Sequence, residues 1–283
     1  MRAAPALVVA LLIALCGLVR TPSARADEVA PDLEGSDLRV KAQAELKRLL
    51  SAMPSNDQRR LVGVYMAFDT STSDPLAQVA CDDDGDYVVL VSDAMLRLLG
   101  HIARAESYDE ANASSKVEEY AAFLVRSQTP GRRLLPPSPG FYIATKPAST
   151  YEDRLADALS FVVAHELTRL RAGDLVCSKP TATKESGDDV WTSAEQRKAA
   201  ESAEHVYPAR QMGRDEEAID RVLESGRSVR GALAVLRFFT QFEIESRIAL
   251  GRFSPPYLVH HPSASLRLAN LKRAIEARRS ESD

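Results

Sequence analysis

The chain of 283 residues has 36 lysines and arginines, 40 aspartates and glutamates, and a net charge of −4. This acidic balance argues against nucleic acid or an anionic membrane surface as a partner, because both are recognised by basic patches. The length is sufficient for one sizeable hydrophobic core.

Residues 1–26 have the form of a secretory signal peptide. Arg2 gives a positive start, residues 5–19 are mostly apolar, and Ala24-Arg25-Ala26 is typical of a signal-peptidase site. We expect cleavage there, export to the periplasm or cell exterior, and a net charge of −7 once the three arginines of this segment are lost. A retained anchor helix is the alternative, but its apolar run is shorter than the roughly 20 residues of a membrane span. A lipid on Cys16 is disfavoured because a bulky residue precedes it. No later segment is predicted to span a membrane.

An N-terminal helical segment is predicted over 27–60, followed by one domain over 61–283. Apolar residues recur on one face between Ser36 and Pro54, which favours a helix. Three short β-branched or aromatic runs follow, separated by turn residues, and are predicted strands of a small sheet: 61–69, 76–80 and 87–91. The acidic run 81–87 is predicted to be a hairpin turn, since it lacks the ligand spacing of a calcium loop.

Helical patterns dominate the rest of the chain. Ser92 is the predicted N-cap of a helix through Ile102, and the proline-rich stretch 128–150 is predicted to be a surface loop. The strongest helix is predicted at 151–171, where the apolar residues leave little polar surface, as in a helix buried on most sides. Other helices are predicted at 107–127, 194–205, 214–224, 228–249 and 263–279. A small sheet followed by a predominantly helical region predicts an α+β fold.

The predicted buried helix contains the sequence HELTR. His165 and Glu166 open the zinc-peptidase signature H-E-x-x-H, in which two histidines one turn apart bind zinc and the Glu acts as base on the zinc-bound water. Arg169 stands at the position of the second histidine, and a guanidinium has no lone pair for a metal. Taken alone, the pair is better explained as part of an ordinary buried polar cluster.

Two downstream segments strengthen the metallopeptidase interpretation. The segment RDEEAID places Glu216 and Asp220 one turn apart on a helix, where a Glu can be a third metal ligand and an Asp can hold a ligand histidine. The segment HPSASLRLANL begins with His261 and a proline, followed at fixed spacing by Arg267 and Leu271.

In this order, the three segments resemble those of the zinc metallopeptidases related to CAAX prenyl protease, HtpX and the periplasmic BepA-type peptidases. That family combines H-E-x-x-H with a later E-x-x-A-D and a His-Pro segment with a following Arg and Leu. The preceding strand and helix, YVVLVSDAMLRLL, are similar in type, and the resemblance covers about residues 76–275. Two positions depart from the pattern, because Ile219 replaces an Ala and Arg169 replaces the second histidine.

The resemblance implies a set of site positions: His165 and Glu216 as zinc ligands, Glu166 as general base, Asp220 as support for a ligand, and His261 as a candidate further ligand. His205 and His260 are other histidines with no motif behind them. Because Arg169 would repel a metal, zinc binding and zinc-dependent proteolysis are expected to be impaired or lost. We expect Arg169 to take the zinc position itself, hydrogen-bonded to Glu216, Glu166 or both.

Three functions stay open on the sequence. The first is an active zinc endopeptidase in which Arg169 turns away and His261 completes the site. The second is a pseudopeptidase that holds a peptide or protein segment against the edge strand near 76–91 by strand addition. The third is a structural partner in a complex of the cell envelope. Bound zinc would separate the first function from the second.

Two cysteines follow the predicted cleavage site, Cys81 and Cys177. An even pair in an oxidising compartment suggests a disulfide, and two separate buried thiols are the alternative. The family resemblance favours the bond, because it places Cys81 in a strand region that runs beside the helix preceding Cys177.

Overall fold

The computed structural model describes residues 35–129, 131–138, 140–142, 149–177, 208–250 and 263–282. Helices predominate in these ranges and are accompanied by a small sheet, which confirms the predicted α+β fold. The expected signal peptide, the helix predicted around 194–205, and His205, His260 and His261 lie outside the described residues. No helix within the described ranges is long and apolar enough to cross a membrane.

The described sheet has three strands, β1 (Tyr65–Asp69), β2 (Ala77–Cys81) and β3 (Tyr87–Ser92), in the order β1-β3-β2. The central strand β3 pairs in parallel with β1 and antiparallel with β2. The acidic run between β2 and β3 forms the predicted hairpin turn, in which Asp82 accepts the backbone N–H of Asp86 at 2.7 Å. The outer edge of β2 pairs with no other strand in the part of the chain that the structure describes.

The helices of the described ranges are α1 (Gly35–Ala52), α2 (Ser55–Arg60), α3 (Asp93–Asn112), α4 (Lys116–Ser127), α5 (Tyr151–Arg171), α6 (Pro208–Glu224), α7 (Arg230–Leu250) and α8 (Ala264–Ser282). Helix α5 is central, since it contacts α1, α3, α6, α7 and the strands β2 and β3. Its bounds are those predicted, and most of its middle is buried, with Leu159 and Phe161 among the core residues. The centre of the fold is therefore the helix that carries the HELTR sequence.

The helix predicted to end at Ile102 continues much farther. Ser92 is its N-cap as predicted, and accepts the backbone N–H of Met95 at 3.0 Å. The break between α3 and α4 comes at Ala113, whose φ of 51° is left-handed. Asp109 on the last turn of α3 accepts the backbone N–H of Lys116, and so provides a hydrogen-bond acceptor for the first turn of α4. The helix continues past the predicted end because its last turns still face the core.

Helices α5 and α7 cross with their backbones in contact at Gly231. A Cβ placed on Gly231 would lie 2.2 Å from the carbonyl carbon of Asp157 and 2.3 Å from the nitrogen of Ala158. The buried Asp157 side chain also accepts the backbone N–H of Ser228 at 2.9 Å, just before α7 begins. This close approach fixes the position of α5 relative to α7.

Candidate functional site

The three ionisable residues of HELTR lie on the last two turns of α5. His165, Glu166 and Arg169 are only 5%, 3% and 6% exposed, respectively. Burial removes water as a hydrogen-bond partner, so each of these groups requires a partner from the protein. The identity of those partners determines what the site can do.

Arg169 and Glu166 form a buried ion pair. Nη1 of Arg169 donates to Oε2 of Glu166 at 2.9 Å. The two residues are three positions apart, so α5 alone brings them to the same face. The prediction that Arg169 binds a carboxylate of the site is thus confirmed for Glu166. The carboxylate expected to act as a general base is engaged by a permanent cation.

His165 is held from helix α6. Its Nδ1 lies 2.9 Å from Oδ1 of Asp215, and its Nε2 lies 3.1 Å from Oε1 of Gln211. Gln211 and Asp215 are four residues apart and therefore share the face of α6 that meets α5. Gln211 precedes the predicted start of this helix at 214, which is why it was not among the predicted site residues.

Asp215 is fully buried, and its charge is balanced from helix α8. Arg267 donates from Nε to one carboxylate oxygen at 2.7 Å and from Nη2 to the other at 2.8 Å, in a bidentate pair. Burial alone would raise the pKa of Asp215, but Arg267 and His165 outweigh it and hold the pKa well below its ordinary value. Arg267 is the arginine of the His-Pro segment, so that segment does contribute a side chain to the site.

Glu216 and Asp220 point elsewhere than the family resemblance implies. Glu216 accepts a hydrogen bond from Asn270 of α8 at 2.7 Å, and Asp220 pairs with Arg278 of the same helix at 2.6 Å. Neighbouring residues of an α-helix point about 100° apart, so Asp215 and Glu216 meet different partners. The carboxylate that faces His165 is therefore Asp215, one residue before the predicted ligand. Sequence periodicity contained a signal for this, since Asp215 is four residues from Gln211 and seven before the buried Val222.

These residues do not fit the zinc ion that the family resemblance implies. Both oxygens of Asp215 accept hydrogen bonds from Arg267, and Glu166 is paired with Arg169. Both ring nitrogens of His165 lie within hydrogen-bond distance of side chains from α6. Within the described ranges, no group of three or more His, Cys, Asp or Glu side chains could hold a metal ion. The arrangement balances its charge with arginines.

A disulfide between Cys81 and Cys177 holds β2 beside the site. The Cα atoms are 5.5 Å apart, and the bond joins the last residue of β2 to the chain that follows α5. The pairing favoured by the family resemblance is thus present. It ties the edge strand of the sheet to the end of the helix that carries Arg169.

Known proteins offer no further guide to this site. The chain has no significant match among family models, curated proteins or solved structures. The function is therefore inferred from the three sequence segments and from the geometry that brings them together.

Proposed function

We propose that this protein is an exported, metallopeptidase-like binding protein in which zinc-dependent proteolysis has been lost. The observation that carries the proposal is the buried ion pair of Arg169 and Glu166 within HELTR. Arginine offers a metal no lone pair, and here it engages the carboxylate that an active peptidase would use as its base. A chain descended from such enzymes would keep the helix and lose the chemistry.

The polar network around His165 supports the same proposal. Asp215 links His165 of α5 to Arg267 of α8. The histidine segment, the acidic segment and the His-Pro segment, which follow one another in the order of the resembled family, therefore also meet in space. A buried carboxylate without a cation would be costly, and Arg267 provides that cation. The convergence favours descent from a metallopeptidase, and the arginines favour loss of the metal.

The proposed ligand is an extended peptide or protein segment. The outer edge of β2 is unpaired within the described sheet, and such an edge offers backbone donors and acceptors for strand addition. The disulfide holds this edge next to the end of α5. Export belongs to the proposal, since a disulfide persists in an oxidising compartment such as the periplasm.

Metal content and peptide cleavage test the loss of chemistry. Purified full chain is equilibrated with excess zinc, freed of unbound metal by gel filtration, and analysed by mass spectrometry for zinc per chain. We expect far less than one zinc per chain and no cleavage of a fluorogenic casein substrate. One tightly held zinc, together with cleavage that Glu166→Gln abolishes, would instead establish an active endopeptidase.

The substitution Arg169→His tests the family part of the proposal. It places a second imidazole one turn from His165 and recreates H-E-x-x-H, so zinc affinity should rise. Arg169→Gln is the matched control, because it also removes the cation but supplies no imidazole. Competition with a coloured chelator measures both. Equal zinc affinity of the two variants would show that α5 does not present a metallopeptidase site.

A further inference from the structure

A groove of about 640 Å³ lies between α1, α2 and the start of β1. Gln58 of α2 lines it and donates to the carbonyl oxygen of Met53 at 2.8 Å, which holds α2 at the end of α1. The apolar residues that line the groove are Leu46, Leu50, Leu61, Val64, Tyr65 and Met66. Its volume falls within the range of ligand-binding sites, so it is large enough for apolar side chains of a partner.

The groove lies beside the unpaired edge of β1. Tyr65 and Met66 both line it, although neighbouring residues of a strand point to opposite faces of the sheet. A groove that contacts both side chains lies beside the strand backbone and not over one face. The other edge of β1 is filled at these residues by Val88 and Val89 of β3. Within the described ranges no strand pairs with the outer edge of β1, which is therefore open to an added strand.

The acidic turn between β2 and β3 lies at the same end of β1 as the groove. Oη of Tyr65 donates to Oδ2 of Asp82 at 2.9 Å, and a Cβ on Gly63 would lie 3.6 Å from Oδ1 of Asp86. The hydrogen bond to Asp82, partial burial and the charges of Asp86 and Asp84 raise the pKa of the Tyr65 hydroxyl. The start of β1 is therefore in a negative electrostatic environment.

Charges of opposite sign lie on different sides of the groove. On the helical side, Lys47 of α1 lines the groove, and Arg59 and Arg60 end α2. On the strand side is the acidic turn, where four carboxylates form no ion pair with a lysine or arginine of the described ranges: Asp82, Asp83, Asp84 and Asp86. A segment paired with β1 would lie on the strand side and would therefore meet negative charge.

We propose that the groove binds an extended segment of another protein that adds to β1 and carries an apolar residue close to a lysine or arginine. Backbone hydrogen bonds to β1 would orient the segment, and the groove would take its apolar side chain. The acidic turn would select a cation, because charges interact over about 8 Å at physiological salt. This site is separate from the peptide site proposed on β2, which is the opposite edge of the sheet.

Ser51 and Asp84 allow the groove and the turn to be altered separately. Ser51 is exposed near the end of α1 and lines the groove, so Ser51→Trp fills it without a change in charge, and Ser51→Ala is the control. Asp84 is exposed, and only its backbone N–H donates to Asp82, so Asp84→Lys reverses a charge and keeps that hydrogen bond. Glu276→Lys is the matched control, since it makes the same charge change on α8, which packs against α6 and α7.

The experiment uses three pools of octapeptides, acetylated and amidated, whose two terminal residues are both lysine, both glutamine or both glutamate. The six central positions are randomised, and peptides retained by the immobilised full chain are identified by mass spectrometry. Fluorescence anisotropy then measures the affinities of single retained peptides. We expect retention from the lysine pool, binding roughly tenfold weaker to Ser51→Trp, and binding about fivefold weaker to Asp84→Lys. Ser51→Ala and Glu276→Lys should bind as the unmodified protein does, and melting temperatures establish that each variant is folded.

Four results would contradict this assignment. Equal retention of the lysine and glutamate pools would overturn the basic partner. Peptides that bind Ser51→Trp with undiminished affinity would place binding on another surface, such as β2, and would leave the proposed function intact. Retention of no pool would overturn the inference as well. A dimer of the unmodified chain, detected by light scattering and dissociated by Ser51→Trp, would assign the groove to a second copy instead.

Discussion

The charged side chains at the end of α5 neutralise one another inside the protein. Arg169 pairs with Glu166 within α5, and Arg267 of α8 pairs with Asp215 of α6. Removing one member of such a pair leaves an uncompensated buried charge, which costs far more than the pair itself contributes. The stability of the site therefore depends on keeping both partners or losing both.

Arg169→Leu is expected to lower the free energy of unfolding by about 3–5 kcal/mol, because it leaves Glu166 buried without its cation. Urea unfolding followed by circular dichroism measures the change. Arg171→Leu on the same helix is the control, since that side chain is 32% exposed and its pair with Glu217 should contribute at most about 1 kcal/mol.

The double variant Glu166→Leu/Arg169→Leu separates charge from shape. It removes both charges and should recover most of the stability that Arg169→Leu loses. An equally large loss in the double variant would show that the packing of the two side chains, and not their ion pair, stabilises this end of α5.

Asp215 should make the protein sensitive to acid. The pKa of Asp215 is lowered in the folded state, whereas an Asp in the unfolded chain has a pKa of about 4. The unfolded chain therefore takes up the proton first as the pH falls. Its contribution to stability is therefore complete above about pH 5 and is lost progressively as the pH falls below about 4. Asp215→Asn should be much less stable than the unmodified protein at pH 7, and this difference should shrink towards pH 3. The exposed Asp83→Asn is the control, and a constant difference for Asp215→Asn would contradict the prediction.

At the scale of helices and strands, the position of α5 depends on a close crossing with α7. Gly231 allows the two backbones to touch, and any side chain there would meet the peptide group between Asp157 and Ala158. The strands depend on α5 in turn, since β2 and β3 both contact it. A shift of α5 would therefore move the site relative to the edge strand.

Gly231→Ala should lower the free energy of unfolding by about 3 kcal/mol, because its Cβ would lie 2.2 Å from a backbone carbon and the helices must separate. Gly213→Ala in α6 is the matched control. It meets no atom within 4 Å and should raise stability by about 1 kcal/mol through helix propensity. Thermal unfolding of the two variants measures both changes in stability. A higher stability of both variants would mean that the crossing of α5 and α7 is loosely packed.

At the scale of the whole molecule, two long-range links hold the site together. Arg267 connects α8 to α6, and the disulfide connects residues 96 positions apart in the chain. A cross-link of this kind restricts the unfolded chain, and it stabilises the folded state by an amount that grows with the length of the closed loop. The disulfide also keeps β2 beside α5, as the proposed peptide site requires.

Cys81→Ser combined with Cys177→Ser should lower the free energy of unfolding by about 2–4 kcal/mol. Urea unfolding of the unmodified protein in dithiothreitol should give the same midpoint as the double variant. The double variant itself should be indifferent to the reductant. Stability of the unmodified protein that does not change on full reduction would refute a stabilising role for the bond.

Local patterns in the sequence were sufficient to predict the main helices and strands. The buried helix at 151–171 was predicted with its observed bounds, because an apolar stretch of that length favours burial whatever surrounds it. The partner of Arg169 was partly predictable for a related reason, since Glu166 lies three residues away on the same helix. Interactions within one element follow from its geometry alone.

Only the tertiary structure decided which residues meet His165. Asp215 and Glu216 are adjacent carboxylates on one helix. The spacing between Asp215 and Val222 favours Asp215 for the buried face, but the sequence by itself does not say which helix that face meets. That contact depends on how α6 is rotated between α5 and α8. The paired residues are far apart in the sequence, since Gln211 is 46 residues from His165 and Arg267 is 52 residues from Asp215. The rotation of a helix about its axis is set by how its whole faces pack against neighbouring helices. A ligand position assigned one residue away from the correct one therefore points to a different neighbour.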